Sequence, residues 1–343
     1  MSLRSYVIAR VLLTIPMLLL LLTLVFLITR VLPGDPVLLH FEKQAKPEAV
    51  EEFRQRLGLD KSLPEQYVDY LTGVLRGDLG KSMQDFSPVA QQIFSAFPAT
   101  LELAIFGMII AVVLGIFLGV RSSRSYNTGE DHVIRTFGIA TYAIPVFFLG
   151  MVLQLVFSIQ LHWFPSGGRI YPGSEPLGLN LGGFHLATGL YTVDSLLEGN
   201  LSKFVQALRY LFLPSFALGL VLCGIFIRLT RTSMLETLRL DFVTAARARG
   251  LKERTVVYTY ALRNAFLPIL TMMGLQFAAL LAGAILTETT FSWPGLGRYL
   301  VDRIAFRDYT AIQGAVVFFG LLVALVSLMV DILYAYLDPR IRL

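Results

Sequence analysis

Hydrophobic residues along this chain are gathered into long blocks rather than spread at helical or strand spacing. Six stretches carry no Asp, Glu, Lys or Arg: 11–29, 103–120, 136–161, 210–227, 264–287 and 309–330. About 20 apolar residues suffice for a helix to cross a bilayer, so the pattern predicts six spanning helices. None of the blocks alternates apolar and polar residues as a lipid-facing barrel strand does. A helix satisfies its own backbone groups, as hydrocarbon requires. The first block is too long for the core of a signal peptide, and Arg30-Val31-Leu32-Pro33-Gly34-Asp35-Pro36 offers no small-x-small cleavage site, so it reads as a retained helix.

Composition agrees: 55% of the 343 residues are hydrophobic and 15% charged, too little charge to cover a soluble domain of this length. The net charge of +5 reports topology more than a nucleic-acid partner. With the N-terminus inside, segments 1–10, 121–135, 228–263 and 338–343 hold 15 basic residues in 67 positions; 30–97, 162–209 and 288–308 hold 14 in 137. The positive-inside rule then places both termini in the cytoplasm. The single cysteine, Cys223, lies in an apolar block and reads as a packed hydrophobe.

The long connections have patterns of their own. Segment 30–97 carries ten acidic residues and two helical patterns, 47–57 and 64–75, the latter with Leu63, Tyr67, Tyr70, Leu71 and Val74 on one side. It reads as a small helical extracytoplasmic subdomain. Segment 162–209, rich in Gly and Pro, reads as an ordered but irregular cover. Segment 228–263 holds eight basic and three acidic residues. Within it, Asp241-Phe242-Val243-Thr244-Ala245-Ala246-Arg247-Ala248-Arg249-Gly250-Leu251 predicts a short helix with a thin, small-residue face, ended by a turn at Gly250. Such a helix suits a groove on another protein, and bulk at Ala246 is expected to block the contact. A second helix is expected from 253 to 262.

Several features invite a chemical reading and do not sustain it. Gly80-Lys81-Ser82 lacks the first glycine of a phosphate loop, that position being Leu75. His40, His132, His162 and His185 show no ligand spacing. Gly115-x-x-x-Gly119 predicts close helix packing within the chain. Glu102, Arg135 and Glu288 lie near block ends and are expected to be solvated at the interface. Asp331 is expected to pair with Arg340 or Arg342.

Thr244-Ala245-Ala246 with Gly250 resembles the Glu-Ala-Ala…Gly loop of ABC importer permeases, in the variant of the peptide and nickel branch. Thr244 replaces the general glutamate, and Leu267-Pro268 lies farther along than in sugar permeases; both departures are features of the peptide branch. The resemblance continues through Leu32-Pro33-Gly34-Asp35-Pro36, Leu57-Gly58-Leu59-Asp60, Arg76-Gly77-Asp78-Leu79-Gly80, Pro98-Ala99-Thr100-Leu101-Glu102-Leu103, the run from Leu286 through Trp293-Pro294-Gly295 to Arg298, and the ending Asp338-Pro339-Arg340-Ile341-Arg342. It implies an all-α polytopic membrane protein of type I importer permease fold. The expected divisions are an N-terminal span 1–31, an extracytoplasmic subdomain 32–97, a permease core 98–337 and a cytoplasmic tail 338–343. It also implies a dipeptide or oligopeptide importer in a bacterial inner membrane, with a homologous second permease subunit, two cytoplasmic ATPase subunits and an extracytoplasmic peptide-binding protein. ATP and Mg would be bound by the ATPases and no cofactor by this chain, which would not itself be an enzyme. The expected ATPase-coupling residues are Asp241, Thr244, Ala245, Ala246, Arg247 and Gly250; the expected gate or receptor contact is Glu288, Trp293, Pro294 and Gly295. A secondary transporter would instead predict paired repeats with charges at depth, and a scaffold protein would leave the ordered motifs unexplained.

Overall fold

A computed structural model describes residues 3–30, 47–56, 58–181 and 184–337 of the chain. The 32–36 motif, His40 and the tail 338–343 lie outside the described residues. Six membrane segments follow the apolar blocks. The first is α1 (Leu3–Arg30), the second α4 (Val89–Arg124), the fourth α8 (Leu201–Thr237) and the sixth α14 (Tyr309–Leu337). The fifth begins at a single turn, α10 (Glu253–Thr255), passes through a π-helical stretch (Val256–Ala261) and continues as α11 (Leu262–Gly283). The expected separate helix over 253–262 is therefore the foot of the fifth span.

The third block departs from the single helix expected over 136–161. It forms α5 (Gly129–Ala143) and α6 (Val146–Leu153), the latter running on as a π-helix to Gln160, with a 98° bend between the two halves. Pro145 explains the break: it supplies no N–H to the preceding turn and holds Ile144 in extended backbone, φ −80° and ψ 127°. Among the described residues, five helices are thus long and apolar enough to cross a membrane, six when the bent pair is taken as one broken span.

The second and fourth spans are the axis of the bundle. At 36 and 37 residues, each is about 54–56 Å long, well beyond the roughly 30 Å of hydrocarbon. They pack where the sequence predicts thin faces. A Cβ on Gly115 would run into the Cβ of Phe226, and one on Gly119 would lie 2.6 Å from the Cβ of Thr230. Gly115→Val is expected to force the two helices apart, at about 1–3 kcal/mol. A purified variant with an unchanged thermal midpoint would refute that packing.

The core around this axis joins Leu103, Met108, Ala111, Leu218 and Phe226 to Ile269, Leu281 and Trp293. Short helices α2 (Pro47–Arg56) and α3 (Leu63–Leu75) match the two patterns read in segment 30–97. The Tyr70, Leu71 and Val74 side of α3 packs on Leu22 and Val25 of the first span and Val317 of the sixth. Tyr67 reaches Thr23, hydroxyl to hydroxyl, at 2.7 Å. Among the described residues, the only β-strands are the two three-residue strands of a hairpin, Leu179–Leu181 against Phe184–Leu186, in the cover 162–209; Lys81 and Pro88 form an isolated antiparallel bridge. That cover also contains α7 (Tyr191–Leu197). Beyond the fifth span come α12 (Ile285–Thr290) and α13 (Leu296–Ala305).

Candidate functional site

Functional groups concentrate at the two ends of the bundle. At the basic-loop end, α9 (Asp241–Ala248) follows the fourth span, with Asp241 in its first turn, where the helix dipole favours a carboxylate. Its far end is closed by Gly250 at φ +73°. Gly250 N–H donates to the Arg247 carbonyl at 2.9 Å, and Leu251 N–H to the Ala246 carbonyl at 3.4 Å. This pattern needs a left-handed residue, which glycine adopts without steric cost.

The faces of α9 differ from the expectation. Val243 and Ala246 are buried, packed with Val256 at the foot of the fifth span and Leu238 at the end of the fourth. The exposed face carries Asp241, Thr244, Ala245, Arg247 and Ala248. Ala246 therefore holds the loop to its own chain and is not a surface residue. Arg247 also reaches Glu253 across the glycine turn at 2.8 Å. Gripped from both flanking spans, α9 cannot shift far without moving them.

Above the loop, Asp131 is fully buried at the start of the third span. It takes a two-pronged contact from Arg231 of the fourth span, at 2.8 and 2.7 Å. Ser122 and the Asn127 N–H complete its shell. Arg135, one turn on, is exposed. Asp331 faces Arg10 of the first span at 3.4 Å; Arg340 and Arg342 lie outside the described residues.

At the distal end, the expectation that Glu102 and Glu288 are interfacially solvated fails for both. Glu288 is 0% exposed. It accepts from Thr100 Oγ1 at 2.6 Å and from the Arg298 N–H at 3.0 Å. Burial pushes its carboxyl above the usual range, while these donors pull it partly back. Trp293 is also 0% exposed, and its indole N–H donates to the Ala99 carbonyl at 2.8 Å. A Cβ on Gly295 would strike the Glu288 carboxylate, so glycine is required there. Glu288, Trp293 and Gly295 thus fasten the segment after the fifth span to the second span near Ala99 and Thr100, with Pro294 in the turn between.

Glu102 is 3% exposed and meets Arg169 of the cover, whose Nε and Nη2 lie 3.0 and 2.6 Å from one carboxylate oxygen. The other oxygen accepts from the N–H and hydroxyl of Thr192 at 2.8 and 2.7 Å. The Arg169 guanidinium also lies 3.8 Å over the Tyr191 ring and donates to the Gly189 carbonyl. Sequence reasoning singled out neither Arg169 and Thr192 nor the Asp131–Arg231 pair. The available signals were an arginine inside a Gly/Pro-rich cover and an acid at the foot of an apolar block.

The family described as the binding-protein-dependent transport system inner membrane component matches residues 111–343, and its N-terminal companion matches residues 3–104. The chain belongs to this family of permeases. Its relatives match along nearly the whole length. The permease is 41% identical to the di/tripeptide transport system permease protein of Pseudomonas aeruginosa, over 93% of each chain. It is 38% identical to the dipeptide transport system permease protein of Alkalihalophilus pseudofirmus, over 98% of this chain and 99% of that one. It is 39% identical to the glutathione transport system permease protein of Pectobacterium atrosepticum, again over 98% and 99%. The type I permease fold and the role of membrane component, rather than enzyme, follow from this membership.

Proposed function

We propose that this permease carries dipeptides and short oligopeptides inward as half of a two-subunit pathway driven by separate ATPases. The observation that supports the substrate most directly is the near-full-length similarity to permeases named for dipeptides and di/tripeptides. A homologous second permease completes the pathway, and an extracytoplasmic binding protein delivers the peptide. Two cytoplasmic ATPase subunits hold ATP and Mg and engage the exposed face of α9. Both termini then lie in the cytoplasm, and the Glu288–Trp293–Pro294–Gly295 segment serves as the extracytoplasmic gate or receptor contact.

Coupling follows mechanically. Leu238 and Val256 clamp α9 between the fourth and fifth spans, so ATPase closure drawing on α9 swings both spans as rigid bodies. Proteoliposomes containing the complete complex, the binding protein outside and ATP on the ATPase side, should accumulate labelled dipeptide. Accumulation of a nickel chelate with no dipeptide or tripeptide uptake would overturn the substrate.

A further inference from the structure

Beside the break in the third span lies a cavity of about 430 Å³. Arg135, Ile139 and Tyr142 line it from α5, and Arg228, Arg231 and Thr232 from α8. The two helices run antiparallel here, since Asp131 meets Arg231 while Gly138 meets Ile227. Arg135 and Arg228 therefore both sit about one turn from the Asp131–Arg231 pair on the side of the break, at the edges of the apolar blocks 136–161 and 210–227. Arg231 is committed to Asp131. Arg135 and Arg228 are exposed, and among the described residues neither guanidinium has a hydrogen-bond or ion-pair partner. A cation at the edge of an apolar block is settled by water or by an anion.

The break itself says what the cavity faces. Ala143, which lines the cavity, and Pro145 are both exposed in this chain. Interrupted backbone at membrane depth is tolerated against protein or a water-filled space, and not against lipid. An acyl chain is thus a poor occupant, and the anion comes from a protein or from the cargo. Two planar guanidiniums suit a carboxylate, each offering paired N–H donors. Ile139 and Tyr142 beside them give an apolar wall for a side chain, and the volume falls in the range of small-ligand sites.

We propose that Arg135 and Arg228 form a carboxylate subsite on the translocation path, which holds the C-terminal carboxylate of a peptide in transit. This rests on the reading of the protein as a peptide permease. Both arginines are open to water, so the hold is weak enough for release, as conduction requires.

The test uses the complete complex with its binding protein and a dipeptide bearing a benzophenone side chain, irradiated during transport. Adducts mapped by mass spectrometry should fall within 135–143 or 224–232. In Arg135→Gln/Arg228→Gln their yield should drop about tenfold or more, the scale of a lost charge-assisted contact. Arg135→Lys/Arg228→Lys should restore much of it, with peptide affinity of the binding protein unchanged. Equal adduct yield and equal uptake in the glutamine variant would overturn the subsite. Failure of that variant to assemble with the second permease would also overturn it, since the arginines would then pair with that subunit. If the unaltered complex takes up no peptide at all, the peptide reading itself fails and the subsite falls with it.

Discussion

Arg169→Met is expected to cost about 3–5 kcal/mol of stability, because it strips the partner from a buried carboxylate and leaves that carboxylate in place. Glu102 is 3% exposed and Arg169 7%, so water cannot replace the lost guanidinium without opening the cover. The same side chain holds the Gly189 carbonyl and lies over Tyr191, so its loss also frees the start of α7. Thermal unfolding of the purified protein should show a markedly lower midpoint, and limited proteolysis should cut first within 162–209. Adding Glu102→Gln should recover part of the loss, since Thr192 can still donate its N–H and hydroxyl to the amide oxygen. A single variant within about 1 kcal/mol of the parent, the range typical of an exposed pair, would mean the pair does not fasten the cover.

The second large effect concerns the loop proposed to meet the ATPases. Ala245→Trp places bulk on the exposed face of α9, where a substitution changes folding by about 0.5 kcal/mol or less. The variant should therefore be inserted and abundant. Uptake and receptor-stimulated ATP hydrolysis by the assembled complex should both fall roughly thirtyfold or more, the consequence of losing about 2 kcal/mol at an interface centre. Ala246→Trp tests something else, because Ala246 is packed against Val256 and Leu238 and its replacement breaks the loop's own seating. Gly250→Leu acts through the backbone: nothing crowds the position, but φ is +73° and a side chain there costs about 1 kcal/mol or more. Undiminished uptake with Ala245→Trp would remove α9 as the transmitter of the ATPase stroke.

Much of the frame was legible because apolar blocks are a local property. Both short helices after the first span were readable from spacing alone, and so was the thin seam at Gly115 and Gly119. The third span reads as one helix in the sequence because its 136–161 block contains no charge to interrupt it. Pro145 was visible, yet a proline inside a span can kink or break it, and neighbours decide which. The fifth span starts earlier than the 264 expected, because Glu253, Arg254 and Arg263 interrupt the apolar pattern and make 253–262 read as a separate helix; in the structure they lie on the foot of the same helical run.

The sequence by itself determined that the chain carries about six membrane segments, which connection is the basic loop, and that a short helix ends at Gly250. Each of these rests on neighbours within a few turns: hydrophobic run length, charge density and the φ that glycine permits. Only the tertiary structure decided that Glu102 and Glu288 are buried rather than wet, and that Ala246 faces inward. Glu102 finds Arg169 67 residues away, and Glu288 finds Thr100 188 residues away. A charge near a span end has the same local pattern whether it meets water or a distant donor. The choice is made by which segments fold back over it.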